Sequence, residues 1–118
     1  FQWTLSFDPA VVQVQEVTLG GFLASTGRNS ATLGPEVDND AGTVTFGAFS
    51  FGDQPGPNGN GVLAILTLTA EEAGNSPLAL ESVQVMDTGG QTQTVIVEDG
   101  RVTVVGAQHI YLPLIEEQ

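Results

Sequence analysis

Residues 1–23, FQWTLSFDPAVVQVQEVTLGGFL, decide the fold class. Phe1, Trp3, Leu5 and Phe7 alternate with Gln2, Thr4 and Ser6. Successive side chains of a strand point to opposite faces, so this alternation marks a strand with one face in a core and one in water. Asp8-Pro9 then turns the chain, because proline presets φ and an aspartate accepts from backbone N–H groups just downstream. Residues 11–18 run extended again and stop at Gly20-Gly21. A strand, a corner and a second strand in so short a span set an all-β expectation.

The rest of the chain keeps that character. Phe22 and Leu23 anchor a polar loop, ASTGRNSATLGPEVDNDAG (residues 24–42), within which 31–33 or 36–37 form a short strand. Residues 43–51 alternate Val44, Phe46, Ala48 and Ser50 against Thr45, Gly47, Phe49 and Phe51. GDQPGPNGNG (52–61) is turn chemistry, and it lacks the lysine and following helix of a phosphate loop. Residues 62–69 are a nearly continuous apolar run, expected of a strand buried on both sides. Strands follow at 78–86, 92–97 and 101–105, the last two joined by a tight turn at Glu98-Asp99-Gly100. The only helix-like piece, 70–73, is too short to matter. About seven or eight short strands, with turns every 8–12 residues, describe two packed, mostly antiparallel sheets, a β-sandwich.

Composition narrows the function. With 118 residues and 41% hydrophobic content, the chain is one domain with a single core. Two arginines and no lysine stand against 14 carboxylates, a net charge of −12. Such a surface repels phosphate backbones and anionic headgroups, which excludes nucleic acid and disfavours lipid. Neutral sugars, cations and other proteins remain. No run approaches the ~18 apolar residues of a membrane span, and no signal peptide is present, so export requires a signal removed or outside these residues.

Chemistry is scarce. There is no cysteine, and His109 is the only histidine, so a nucleophilic triad is excluded and no enzyme is expected. The carboxylate pairs Asp38/Asp40, Glu71/Glu72 and Glu98/Asp99 fall in turns, where solvated acids are ordinary. EVDNDAG (36–42) spaces oxygen ligands like part of a calcium loop but lacks its length and closing glutamate. Asp38 and Asp40 are thus the weak candidate for a calcium ion, and no other cofactor is expected. Trp3 belongs to the apolar face of its strand, which leaves Trp3 and Tyr111 short of a sugar-stacking platform.

Three segments, taken together, resemble cohesin domains. The alternating strand running into Phe7-Asp8-Pro9 and then residues 11–23 is similar to the family's aromatic-Asp-Pro corner. GNGVLAILTLTA (59–70) and VIVEDGRVTVVG (95–106) are similar to a later strand and to the closing hairpin. The resemblance implies a jelly-roll sandwich, shared with related carbohydrate-binding modules. It also implies a protein–protein module, extracellular or on a bacterial cell surface, that holds a dockerin-bearing, polysaccharide-degrading enzyme, any calcium being held by the dockerin. The docking face would include Gln2, Thr4, Ser6, Thr92 and Thr94.

The family's first two strands have no counterpart here. The resemblance implies that they sit between the strand at 78–86 and the last strand at 101–105, leaving a gap in one sheet. Each unsatisfied buried backbone group costs roughly 1–3 kcal/mol, so something must fill such a gap. One candidate is the tail HIYLPLIEEQ (109–118), set off at 107–118 from a sandwich at 1–106. Ile110, Leu112 and Leu114 line one face of it, Tyr111, Pro113 and Ile115 the other. Burying the three aliphatics is worth on the order of 5–8 kcal/mol. A three-residue connection cannot return in parallel, so donation is expected into another copy. Ile110, Tyr111, Leu112, Leu114 and Ile115 would be the donors and Phe1, Trp3, Leu5 and Phe7 the receiving core of a surface filament. Pro113, which removes a ladder donor, stands against this. Strands from a separate piece, a sorting tail, dockerin binding and carbohydrate binding stay open as alternatives.

Overall fold

The chain forms seven strands and no helix over residues 1–105, which are the residues described by the computed structural model. They are β1 (Gln2–Ser6), β2 (Val12–Leu19), β3 (Asn29–Asp38), β4 (Thr43–Phe51), β5 (Ala64–Ala70), β6 (Gly74–Gln84) and β7 (Gly100–Val104). One sheet has the order β3-β4-β1-β6-β7, the other is the pair β2-β5, and every pairing is antiparallel.

The alternation in β1 and β4 works as a half-buried strand should. Trp3, Leu5 and Phe7 are buried, as are Val44, Phe46 and Ala48, with Val11, Val12, Val14 and Val17 of the β2 region packed over them. Phe46 is the centre, its ring 5.8 Å from Trp3 and 6.1 Å from Phe1. The single tryptophan is therefore a core residue. The corner after β1 is closed by Asp8: its carbonyl accepts from the N–H of Val11 and Val12 and its Oδ1 from Ala10. Ser76, fully buried, accepts from the Asp8 N–H at 2.8 Å and donates to the Pro77 carbonyl at 3.1 Å.

Four expectations need correction. The polar loop does not hold a short strand at 31–33 or 36–37 but one ten-residue strand, β3, which pairs with β4 on both sides of an irregularity between Leu33 and Glu36. Gly34, at φ +88, absorbs the extra residue there without the penalty a side chain would bring. Residues 62–69 are not buried on both sides: Ile65 is 53% exposed, because nothing described covers the outer face of β2-β5. Residues 92–97 form no strand beyond one bridge, Met86 to Thr92, and Ile96 is 92% exposed. That stretch has the β-branched composition of a strand but no neighbouring edge to pair with.

The fourth correction concerns the gap. No opening lies between β6 and β7, because β7 pairs directly with β6 from Gly74↔Val104 to Leu78↔Gly100. The imbalance lies between the sheets: strands spaced about 4.8 Å apart make the first sheet roughly 19 Å wide and the second roughly 5 Å. Full burial is accordingly confined to β1, β2, β4 and their corners, plus Ser76, while Leu78, Leu80, Val102 and Val104 on β6 and β7, and Leu66 and Leu68 on β5, are only partly buried.

Candidate functional site

Strand register builds the outer face of the five-stranded sheet rung by rung. Asp38, Thr43, Ser6 and Ala79 form one rung, and Glu36, Thr45, Thr4 and Glu81 the next. Leu33, Gly47, Gln2 and Gln84 follow, then Ala31 beside Phe49 and Asn29 beside Phe51. The first two rungs are hydroxyls and carboxylates: Thr4 Oγ1 and Thr45 Oγ1 are 3.1 Å apart, and Ser6 Oγ reaches Glu81 Oε2 at 3.4 Å. The other end is apolar, with Leu33 51% exposed, Phe49 and Phe51 each 48%, and the two rings 6.1 Å apart. Single exposed apolar residues are ordinary on a surface, whereas a contiguous cluster rimmed by polar groups marks contact with something else.

A cleft of about 760 Å³ opens at this apolar end, lined among others by Phe1, Phe22, Leu33, Phe49 and Met86. Arg28 borders it but is committed elsewhere. Its Nε donates to Ser50 Oγ (2.8 Å), Nη2 to the Ser50 carbonyl (3.0 Å), and Nη1 to the carbonyls of Gly52 (3.0 Å) and Gln54 (2.6 Å). One of the two cations in the chain therefore ties down the 52–61 loop. The Phe1 amine donates to the Ala48 carbonyl at 2.8 Å and continues the β1–β4 ladder. Desolvation by partial burial holds it below its ordinary pKa of 8.0.

Among the residues singled out from the sequence, Gln2, Thr4 and Ser6 share this outer face with one another. Thr92 and Thr94 do not join them. Neither lies in a strand, because the chain from Val85 to Gln93 folds on itself through Asp87, whose Oδ1 accepts from the N–H of Gly89 and Gln91. The residues that complete the face instead are Leu33, Thr45, Phe49, Phe51 and Glu81. Their signal was the second face of 43–51, which ends on two aromatics. Asp38 Oδ1 accepts from the N–H of Asp40 and Ala41 and closes the β3–β4 turn, and no cluster of metal-ligating side chains occurs among the described residues. His109 and the donor candidates Ile110, Tyr111, Leu112, Leu114 and Ile115 lie outside the described residues.

The edges of the second sheet differ from each other. On β2, the side chain of Asn39 occupies the outer edge: its Oδ1 accepts from the Val14 N–H at 2.9 Å and its Nδ2 donates to the Val14 carbonyl at 3.1 Å. The outer edge of β5 has no such cover among the described residues.

Two solved structures share this arrangement. A non-cellulosomal cohesin from the hyperthermophilic archaeon Archaeoglobus fulgidus aligns with a TM-score of 0.67 at 18% identity, over 93% of this chain and 75% of that one. The cohesin of a type I cohesin–dockerin complex from Clostridium thermocellum aligns with a TM-score of 0.63 at 15% identity, over 85% of this chain and 69% of that one. At these identities the likeness is one of fold. No curated protein matches the chain. The model of the cohesin domain matches residues 1–104. Spanned almost end to end by that match, the described chain belongs to the cohesin domain family, whose members are non-enzymatic protein–protein interaction modules.

Proposed function

We propose that this chain docks a dockerin-type domain on the outer face of β3-β4-β1-β6, and so holds a polysaccharide-degrading enzyme outside the cell or on its surface. The observation that carries this reading is the exposed cluster of Leu33, Phe49 and Phe51 on a sheet face otherwise made of Thr, Ser, Gln and Glu. Apolar side chains supply the contact area, and Thr4, Thr45, Glu36 and Glu81 supply direction and charge. With a net charge of −12, the chain favours a partner whose contacting surface is basic. The solved cohesin–dockerin complex of the same fold adds support for the class of partner. Calorimetric titration with dockerin domains tests it. Leu33→Glu and Phe49→Glu are expected to weaken binding by tenfold or more, since each buries a charge at the centre of the contact (about 1.4 kcal/mol per factor of ten). Unchanged affinity in both variants contradicts the reading.

A second reading, strand donation by the tail, is supported by the open edge of β5. Ile110, Tyr111, Leu112, Leu114 and Ile115 would be donors, and the core of Phe1, Trp3, Leu5 and Phe7 would receive them. Passed head to tail between copies, the contact does not close and builds a filament. Light scattering that grows with concentration, and is lost when residues 108–118 are removed, is the expected result. Scattering of a monomer at every concentration contradicts exchange between copies.

A further inference from the structure

The open edge of β5 and the last residues of the chain fit one another in spacing, direction and charge. We propose that residues 110–115 add to β5 of their own chain as an antiparallel strand. This rests on the reading of the tail as a strand donor and assigns the acceptor edge, the direction and the chain.

The acceptor follows from the ladder. Neighbours in an antiparallel pair alternate between exchanging both hydrogen bonds and exchanging none. Val14, opposite Leu68, turns its N–H and C=O away from β5 to Asn39, whereas Gly20 donates to the Leu63 carbonyl and Glu71 to that of Val11. The backbone groups of Ala64, Leu66, Leu68 and Ala70 therefore face the open edge. Leu66 and Leu68 direct their side chains inward, and beyond them Leu78, Leu80, Val102 and Val104 form a partly covered apolar floor. A strand added at this edge lies over that floor.

Any residue that exchanges bonds with Leu66 or Leu68 must itself point inward. Ile110, Leu112 and Leu114 have that spacing. Tyr111, Pro113 and Ile115 then point outward with their backbone groups turned away from β5. Pro113, which has no N–H to give, falls where the ladder asks for none. A slip of one residue would put Pro113 against β5 and turn the three aliphatics to water.

Direction assigns the chain. β7 ends at Val104 beside Gly74, and only residues 71–73 separate Gly74 from the end of β5 at Ala70. A chain leaving Val104 thus starts at the Ala70 end and runs back toward Ala64, antiparallel, which a short connection allows. Residues 105–109 reach roughly 16 Å, against about 10 Å between packed sheets. In a chain of 14 carboxylates, neither 54–70 nor 100–115 carries one, so no like charges meet along the contact.

Cysteine pairs test this in the full chain, which has no cysteine of its own. Thr67→Cys is combined in turn with Tyr111→Cys, Pro113→Cys and Ile115→Cys. At least one pair is expected to form an intramolecular disulfide in a monomer, at a yield independent of concentration, with Asp53→Cys/Pro113→Cys as the unlinked control. Disulfide-linked oligomers would overturn the assignment to the same chain while leaving strand donation standing. Yields no higher than the control would overturn both. Amide exchange gives an independent reading: slow exchange at Leu66 and Leu68 should be lost in Leu112→Asp while Trp3 and Phe46 stay slow. Fast exchange at Leu66 and Leu68 in the unaltered chain overturns the proposal.

Discussion

The side-chain amide of Asn39 holds both main-chain groups of Val14, accepting from its N–H at 2.9 Å and donating to its C=O at 3.1 Å. An amide side chain here does the work of a neighbouring strand, and it does so where β2 would otherwise present an open edge next to its irregularity between Val14 and Glu16. Edges left open invite pairing with other chains. Asn39→Ala strands a donor and an acceptor at a part-buried position and should cost about 1–2 kcal/mol. Thermal denaturation reads this as a fall in Tm of several degrees. Asn39→Asp keeps the acceptor and loses the donor, so it should also destabilise. An unchanged Tm in both variants contradicts the edge-capping role.

Ser76 links the first corner to the start of β6 from a fully buried position. Ser76→Ala removes the acceptor of the Asp8 N–H and is expected to destabilise the fold by about 1–3 kcal/mol. Urea denaturation should show a lower midpoint with an unchanged slope, since the surface exposed on unfolding is the same.

Arg28 makes four hydrogen bonds to Ser50, Gly52 and Gln54, three of them to main-chain carbonyls. Methionine keeps much of its length and none of its donors. Arg28→Met should therefore leave the core intact, with a stability change within about 1 kcal/mol, while loosening the 52–61 loop. Limited proteolysis is expected to cleave that loop several times faster in the variant. Equal rates contradict the tethering role.

Much of this fold was legible because burial imposes a period. Residues 1–7 and 43–51 alternate against one core, and their register follows from that alone. The run at 62–69 misled because Ile65, an apolar residue on an outward position, interrupts the alternation that would have shown a half-exposed strand. Residues 92–97 have strand composition, but a strand is defined by its neighbour, and β7 pairs with β6 instead. The polar links of Asn39 to Val14 and of Arg28 to residues 50–54 join segments far apart in sequence and leave no periodic trace. On the docking face, Gln2, Thr4 and Ser6 followed from alternation. Phe49 and Phe51 were visible as the outward side of their strand, although their contact with Leu33 and Ala31 on β3 required the ten-residue pairing that the glycine and proline at 34 and 35 disguised.

The most direct test of the docking account is the NMR footprint of a bound dockerin domain on the isotope-labelled chain. The account predicts shifts at Thr4, Leu33, Thr45, Phe49 and Glu81, with Gln13, Ile65 and Thr67 on the far sheet unmoved. A footprint on β2 and β5 with the outer face of β3-β4-β1-β6 silent would contradict it.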